Sequence, residues 1–331
     1  MKTRREILIA LGAGALAAPL RSWAQPKEKL RRIGFLAVRP RPSAANPDAS
    51  YAAFVGNMGK LGWVEGTNLH IEWRYADGDY ARLPKLAAEL AHSQVEVIVT
   101  HTSPGTQAAK QATATIPIVT AAVSDPVSSG FAATLARPGG NITGLSNMGL
   151  DMAPKQLETL KILMPKLATV AYLLNPGTRA NLPMLENLQA AAAKFRVKIV
   201  RIDARTPEEV EAGFAAMKGR RVEAAIIAND GFFIGQRQRI AALGIKHRMP
   251  TVFSYREHVE SGGLISYGEN LADVYARAAV YVDKILKGAK PGELPFEQPS
   301  TLQLTINART AKALGVKIPQ ELLIRADEVI E

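Results

Sequence analysis

The stretch Val95-Glu96-Val97-Ile98-Val99-Thr100-His101-Thr102-Ser103-Pro104 contains the change of period that decides the fold. Its first six residues are mostly apolar and β-branched, the pattern of a buried strand. The next residues turn polar, and Ser103-Pro104 opens a helix with a capping hydroxyl and a proline at its first position, where the missing N–H costs nothing. A buried strand running straight into a capped helix is the first half of a parallel βαβ unit.

The same alternation extends in both directions. Residues 33–38 read as a buried strand, and Tyr51, Phe54, Val55, Met58 and Leu61 fall at helical spacing, with Gly62 placed to end that helix. Leu69, Ile71, Trp73 and Tyr75 alternate as in a strand, and Leu83, Leu86, Ala87 and Leu90 return to the helical period. Residues 116–123 form another strand, and Asp125-Pro126 is expected to start a helix that stops at Arg137-Pro138-Gly139-Gly140.

A second run of the same kind follows 141–147. Strands are expected at 169–174, 197–202, 224–228 and 251–254, and helices at 182–195 and 235–245. Thr206-Pro207-Glu208-Glu209 is a capping box with proline at the first helical position. An amphipathic helix is expected from about Leu271 to Leu286. The pattern predicts an α/β protein of two Rossmann-like, doubly wound lobes joined by a hinge. Each lobe ends in a glycine-rich segment, 138–144 and 262–268, read as the crossings that absorb rotation. The expected division is 31–143 plus about 268–290 for the first lobe, and 144–267 plus about 291–331 for the second.

Residues 1–24 read as a secretory signal: basic Lys2, Arg4 and Arg5, a short apolar run, then Ser22-Trp23-Ala24 as a small-x-small cleavage site. Thr3-Arg4-Arg5-Glu6-Ile7-Leu8 resembles the twin-arginine variant, so both export routes stay open. Gly12-Ala13-Gly14-Ala15-Leu16-Ala17 matches a dinucleotide fingerprint but lacks the preceding strand that its chemistry needs. Without this segment, which holds four basic residues and one acid, the net charge falls from +11 to +8. The basic residues are dispersed apart from 27–32, so a solvated surface is expected rather than a nucleic-acid site. The chain has no cysteine, which excludes disulfides and a lipidated N-terminal cysteine. A periplasmic, monomeric protein is expected.

In open α/β sheets, ligands bind beyond the carboxyl ends of the strands. Those ends carry Thr102-Ser103, Ser124-Asp125, Asn175, Asn229-Asp230 and Ser254-Tyr255, with Phe232, Phe233 and Tyr267 nearby. Thr102, Ser103 and Thr106 lie at a helix N-terminus that favours an anion such as a carboxylate, and Asp230 could hold an ammonium. Ser103 and Asp125 serve equally well as helix caps, and Asn229-Asp230-Gly231 as a turn. The five histidines show no zinc spacing, and neither G-x-S-x-G nor a P-loop occurs. His101 stands at a strand end, where it lines the cleft or is a structural or surface residue. No catalytic residue, metal or cofactor is expected.

Seven segments in this order resemble one family: residues 61–68 (Leu-Gly-Trp-Val-Glu-Gly-Thr-Asn), 82–84 with 87–90, 116–119, 124–127 (Ser-Asp-Pro-Val), 138–144 (Pro-Gly-Gly-Asn-Ile-Thr-Gly), 262–268 (Gly-Gly-Leu-Ile-Ser-Tyr-Gly), and 285–291 with Leu294-Pro295. Together they are similar to the ABC transporter substrate-binding proteins, the family with tryptophan- and aromatic amino-acid-binding members. The resemblance implies a type 1 periplasmic binding fold that closes on a small-molecule ligand and delivers it to the transmembrane subunits of an ABC permease. Carried over by motif, the ligand contacts would be Thr102, Ser103, Thr106, Ser124 and Asp125 in the first lobe, Asn229 and Asp230 in the second, and Tyr267 at the hinge. Phe232 and Phe233, where family members more often have small polar residues, would narrow the pocket. The competing readings are an exported α/β enzyme and a ligand-binding module for a sensor kinase or chemoreceptor.

Overall fold

The structure is a computed structural model that describes residues 30–44, 47–147, 149–299 and 301–331. The expected export segment and the dinucleotide-like match within it lie outside the described residues. The first lobe is built on β1 (Arg31–Ala37), β2 (Leu69–Tyr75), β3 (Val97–Thr100), β4 (Ile118–Ser124) and β5 (Ile142–Asn147), all parallel, in the order β2-β1-β3-β4-β5. A parallel sheet is covered on both faces, so neighbouring residues of one strand enter different cores. Ile33, Phe35 and Ala37 pack with the Ala49–Lys60 and Leu271–Leu286 helices. Leu36 and Val38 pack on the other face with the Leu83–His92 and Ser103–Ala112 helices.

The Leu271 helix returns from the far end of the chain to complete this lobe. Tyr275, Ala278, Ala279 and Val282 are fully buried against Tyr51, Phe54 and Met58. Of these, a side chain the size of Val282, Phe54 or Met58 contributes about 1.5–3 kcal/mol. Two polar contacts fix the register: Trp63 Nε1 donates to Asp283 Oδ1 at 2.8 Å, and Asn57 Nδ2 donates to the Ala276 carbonyl at 2.6 Å.

The second lobe carries β6 (Thr169–Leu174), β7 (Lys198–Asp203), β8 (Ala224–Ile227), β9 (Thr251–Phe253), β10 (Ile265–Gly268), β11 (Gln303–Asn307) and β12 (Glu328–Ile330). Their order is β12-β11-β10-β9-β8-β6-β7, parallel except for the antiparallel β10/β11 pair. The capping box at Thr206 forms in part. Glu209 N donates to Thr206 Oγ1 at 3.2 Å, while Glu209 Oε2 accepts from Arg205 N instead of closing the reciprocal bond. Among the described residues no helix is long and apolar enough to cross a membrane.

The helix expected after Asp125 is absent; residues 126–130 form a turn and 131–140 run on as irregular, bent chain. Asp125 Oδ1 does accept from Ser128 N at 3.0 Å, as a helix cap would. The turn ends at Gly130, whose φ of 70° takes the chain out of the helical region. The helix expected at 235–245 is present as Arg237–Lys246, and a separate one-turn helix, Gly231–Gly235, capped by Asp230, precedes it.

The chain crosses between the two sheets three times, after Asn147, after Gly268 and between Glu297 and Gln303. The expected boundary at 143/144 falls inside β5. Residues 294–297 sit with the first sheet: Thr143 Oγ1 donates to the Leu294 carbonyl at 2.7 Å and Ser146 N to the Glu297 carbonyl at 2.8 Å. Both glycine-rich segments have a local packing reason. A Cβ on Gly144 would lie 2.1 Å from the Thr120 carbonyl oxygen, and one on Gly268 would lie 2.0 Å from that of Ser254. Neighbouring strands approach too closely there for any side chain.

Candidate ligand-binding site

The carboxyl ends of β1, β3 and β4 in one lobe face those of β6, β8 and β9 in the other. Between them lie two chambers that share Ser103 and Ser124 as walls. The inner one has a volume of about 30 Å³ and is bordered by Arg39, His101, Thr102, Asn229, Asp230 and Tyr255, among others. The outer one measures about 540 Å³, within the range of about 300–1,000 Å³ usual for small-molecule sites. Its first-lobe wall includes Ser103, Gln107, Gln111, Asp125 and Phe131; its second-lobe wall includes Leu150, Arg179, Pro183 and Met184.

Backbone strain marks the point where the chambers meet. Thr102 has φ 68° and ψ 154°, a conformation that L-residues with a Cβ rarely adopt. It is held there by its own amide, which donates to the Ala122 carbonyl at 2.7 Å, and by its carbonyl, which accepts from Thr106 N and Thr106 Oγ1. The result aims the N-terminus of the Ser103 helix at the cleft. Its dipole and unpaired N–H groups favour an anion there.

Asp230 is buried and draws donors from both lobes. Thr178 Oγ1 donates to Oδ2 at 2.6 Å and Asn181 Nδ2 to the same oxygen at 3.4 Å. Phe232 N at 2.9 Å, Asn175 Nδ2 at 3.5 Å and the Tyr80 hydroxyl donate to Oδ1. Burial raises the pKa of this carboxyl, and the hydrogen bonds oppose that rise. Burial also lifts the Tyr80 phenol well above its ordinary value, with Asp230 adding to the effect. These partners occupy the acceptor sites of the carboxylate. Asp125 is different: half-buried, on the outer chamber, it has one recorded side-chain partner, Ser128 N.

Arg39, not among the strand-end candidates above, is buried just beyond the end of β1. Its Nε lies 3.0 Å from Asp48 Oδ2, and its guanidinium sits over the rings of Tyr51 at 4.7 Å and Tyr275 at 5.4 Å. His101 is 4% exposed, and neither ring nitrogen has a hydrogen-bond partner. Burial, and secondly the Arg39 charge, hold its pKa well below the usual value, so the ring is neutral.

The remaining expected residues are placed unevenly. Thr102, Ser103, Ser124, Asn229 and Asp230 border the inner chamber, and Ser103, Ser124 and Asp125 the outer one. Thr106 lies beneath, its hydroxyl 3.1 Å from Thr120 Oγ1, where it ties the Ser103 helix to β4. Phe232 and Phe233 pack on each other at 5.3 Å in the core of the second lobe. The carbonyl of Tyr267 accepts from Gln156 Nε2 at 3.2 Å. Neither Thr106, Phe232 nor Tyr267 lines either chamber. Tyr80, Thr178 and Asn181 carried no sequence signal of their own; Thr178 follows Asn175 in the loop after β6, and Asn181 opens the helix Asn181–Lys194.

Two doubly wound lobes with a polar, strained, helix-capped cleft between them define a bilobal solute-binding protein. The chain belongs to the ABC transporter substrate binding protein family, which it matches over residues 46–330. It is 25% identical over 291 residues to the tyrosine-binding protein of Clostridioides difficile strain R20291, covering 88% of this chain and 82% of that one. The structure of an ABC domain from Streptococcus pneumonia in complex with L-Trp superposes with a TM-score of 0.82 at 25% identity, covering 91% of this chain and 99% of that one. The ligand-free, open structure of a Clostridium difficile substrate-binding protein with adhesive properties gives 0.62 at 26% identity, over 91% and 99% of the two chains. At nearly equal identity, this chain therefore overlays better on the L-Trp complex than on the open form, in line with the contact of Tyr80 with Asp230.

Proposed function

We propose that this protein is an extracytoplasmic, monomeric receptor that binds an aromatic amino acid between its lobes and delivers it to the membrane subunits of an ABC importer, without catalysing a reaction. The lobes in this reading comprise 31–147 with 269–297, and 149–268 with 301–331, hinged at the three crossings. The observation that carries it is the outer chamber: about 540 Å³, with the Ser103 helix N-terminus and Asp125 on one lobe and Leu150, Pro183 and Met184 on the other. The ligand carboxylate takes the helix N-terminus, the ammonium takes Asp125, and the aromatic ring takes the apolar wall. Asp230, already satisfied by its own chain, shapes the cleft instead of holding the ammonium. The aromatic amino acids bound by relatives support the ligand class.

The test is calorimetric titration of L-tyrosine, L-tryptophan and L-phenylalanine, after unfolding and refolding to strip carried-over solute. Binding by at least one is expected, and Asp125→Asn should weaken it at least tenfold while sparing the deaminated aromatic acid. Silence across all three amino acids would overturn the reading. Release of a chemically altered ligand would point to an enzyme.

A further inference from the structure

The loop between β6 and the helix Asn181–Lys194 is held more firmly than a connection needs. Asn175, Thr178, Asn181 and Asp230 are all buried, and they bind one another. Thr178 Oγ1 and Asn181 Nδ2 both donate to Asp230 Oδ2, at 2.6 and 3.4 Å. Asn175 closes the turn: its Oδ1 accepts from Gly177 N at 2.9 Å, and its carbonyl accepts from Asn181 Nδ2 at 2.9 Å and Thr178 N at 3.1 Å. Loops usually run over the surface with their polar groups in water. A satisfied buried network instead rigidifies what it holds.

What it holds is Arg179. This residue follows Thr178 directly and precedes Asn181 by two, so both its flanks are pinned, while its own side chain is exposed and borders the outer chamber. Among the described residues its guanidinium has no hydrogen-bond or ion-pair partner. Of the described residues that line this chamber, Arg179 is the one basic side chain and Asp125 the one acidic, and they come from opposite lobes. The loop also faces the Ser103 helix: Thr178 and Ser103 border the inner chamber together, and a Cβ on Gly177 would lie 3.9 Å from Tyr80 Cδ2 of the first lobe. The Tyr80 hydroxyl donates to Asp230, so the network that pins Arg179 is braced from the first lobe when the lobes meet.

We propose that Arg179 is the second-lobe partner of the solute's carboxylate, opposite the Ser103 helix, and that Asp230 is the positioning residue that presents it. The inference rests on the aromatic amino-acid reading above, which places the ammonium on Asp125 and the carboxylate at the helix N-terminus. That N-terminus offers N–H groups and a partial charge. The guanidinium adds a full charge and a planar fork that matches both carboxylate oxygens. Each lobe then contributes one hand to the carboxylate, and the solute itself draws them together. The burial of Asp230 follows from the same arrangement: its charge holds the loop and stays out of the chamber, where it would repel the carboxylate that Arg179 attracts.

The experiment measures Kd on the full chain for whichever of L-tyrosine, L-tryptophan and L-phenylalanine wild type binds best, and for the carboxamide of that amino acid. The proteins are wild type, Arg179→Gln, Arg179→Lys, Asp230→Asn and the Arg179→Gln/Asp230→Asn double variant. Arg179→Gln should weaken the amino acid at least about tenfold, the loss of one charge-assisted contact, and leave the neutral carboxamide nearly unchanged. Arg179→Lys, which keeps the charge and loses the fork, should fall between. Asp230→Asn should also weaken the amino acid more than the carboxamide, yet cost little further once Arg179 is replaced. Thr178→Val takes its place in the cycle if the asparagine variant does not fold. An unchanged Kd in Arg179→Gln, or an equal loss for the carboxamide, overturns the carboxylate clamp and leaves the receptor reading standing. Losses that simply add in the double variant overturn the positioning role of Asp230. If wild type binds none of the three amino acids, the receptor reading falls and the clamp falls with it.

Discussion

The hydroxyl of Tyr80, in the first lobe, donates to Oδ1 of Asp230, in the second, and accepts from Phe232 N at 3.1 Å. One phenol thus joins both lobes at the mouth of the Gly231 helix. The acceptor is a buried carboxyl, so the contact belongs to the stronger class of hydrogen bonds, worth about 1.5–3 kcal/mol. It exists only while the lobes touch.

Tyr80→Phe should therefore favour opening while leaving each lobe intact. Small-angle scattering of the stripped protein should show a larger radius of gyration than wild type, and ligand affinity should fall roughly tenfold, in proportion to about 1.4 kcal/mol of closed-state stability. An unchanged radius and affinity would mean the phenol contributes nothing to closure.

Asp230→Asn tests the carboxylate itself. Its donors, from Thr178, Asn181, Asn175, Tyr80 and Phe232, suit an acceptor-only group. An amide would set its NH₂ against at least one of them and leave a buried donor unpaired, at a cost of about 1–3 kcal/mol. Urea denaturation should show a lower midpoint; a midpoint equal to wild type would show that the loops after β6 and β8 readjust freely.

Thr102→Gly should stabilise the protein. Relief of the strained backbone gains about 1–3 kcal/mol, against about 0.5–1 kcal/mol for the added flexibility of glycine in the unfolded chain. The lost capping contact, 3.4 Å from Gly105 N, costs only a few tenths. A higher urea midpoint with weaker ligand binding is the expected pair of results. A lower midpoint would show that the neighbouring hydrogen bonds depend on the threonine.

Acid should weaken the fold through two histidines. Burial holds His101 well below its ordinary pKa and His258 down at about 3. Arg39 adds to both shifts, and Arg237 adds to that of His258. Below pH 6.5 the unfolded chain takes up protons that the native one refuses, so stability is complete above that pH. It is lost as pH falls toward the folded values, by up to about 1.4 kcal/mol per pH unit for each ring. Urea midpoints at pH 7.5 and 5.5 measure this. His258→Phe, which stays stacked on Phe253, should flatten the difference, and an equal drop in that variant would assign the effect elsewhere.

Legibility in the sequence followed how local each determinant is. The alternation of Ile33, Phe35 and Ala37 with Leu36 and Val38, and the Ser103-Pro104 helix start, are written within a few residues, and the strands and helices they specify are present. The absent helix after Asp125 shows the limit of such signals. An Asx contact to Ser128 N begins a helix and a turn alike, and only Gly130 further on separates the two. At the site, the polar residues directly after β3, β4 and β8 were visible because the α/β topology places them at the cleft. Arg39 obeys the same rule two residues beyond β1, but it directly follows the apolar run 33–38, whose pattern announces only core. Tyr80 and Thr178 come to Asp230 from 150 and 52 residues away, and nothing near either one in the chain announces the meeting.

The Leu271 helix also sets an order of events during synthesis. Trp63 must wait 220 residues for Asp283, and Tyr51, Phe54 and Met58 lie uncovered until the same helix emerges. At roughly 5–20 residues per second, that delay is on the order of ten seconds or more. In that interval the first lobe is a nascent sheet with one apolar face exposed, while most of the second lobe has already left the ribosome. The half of the protein that is made first is therefore the half that finishes folding late, and it is the half that a holding chaperone would have to recognise.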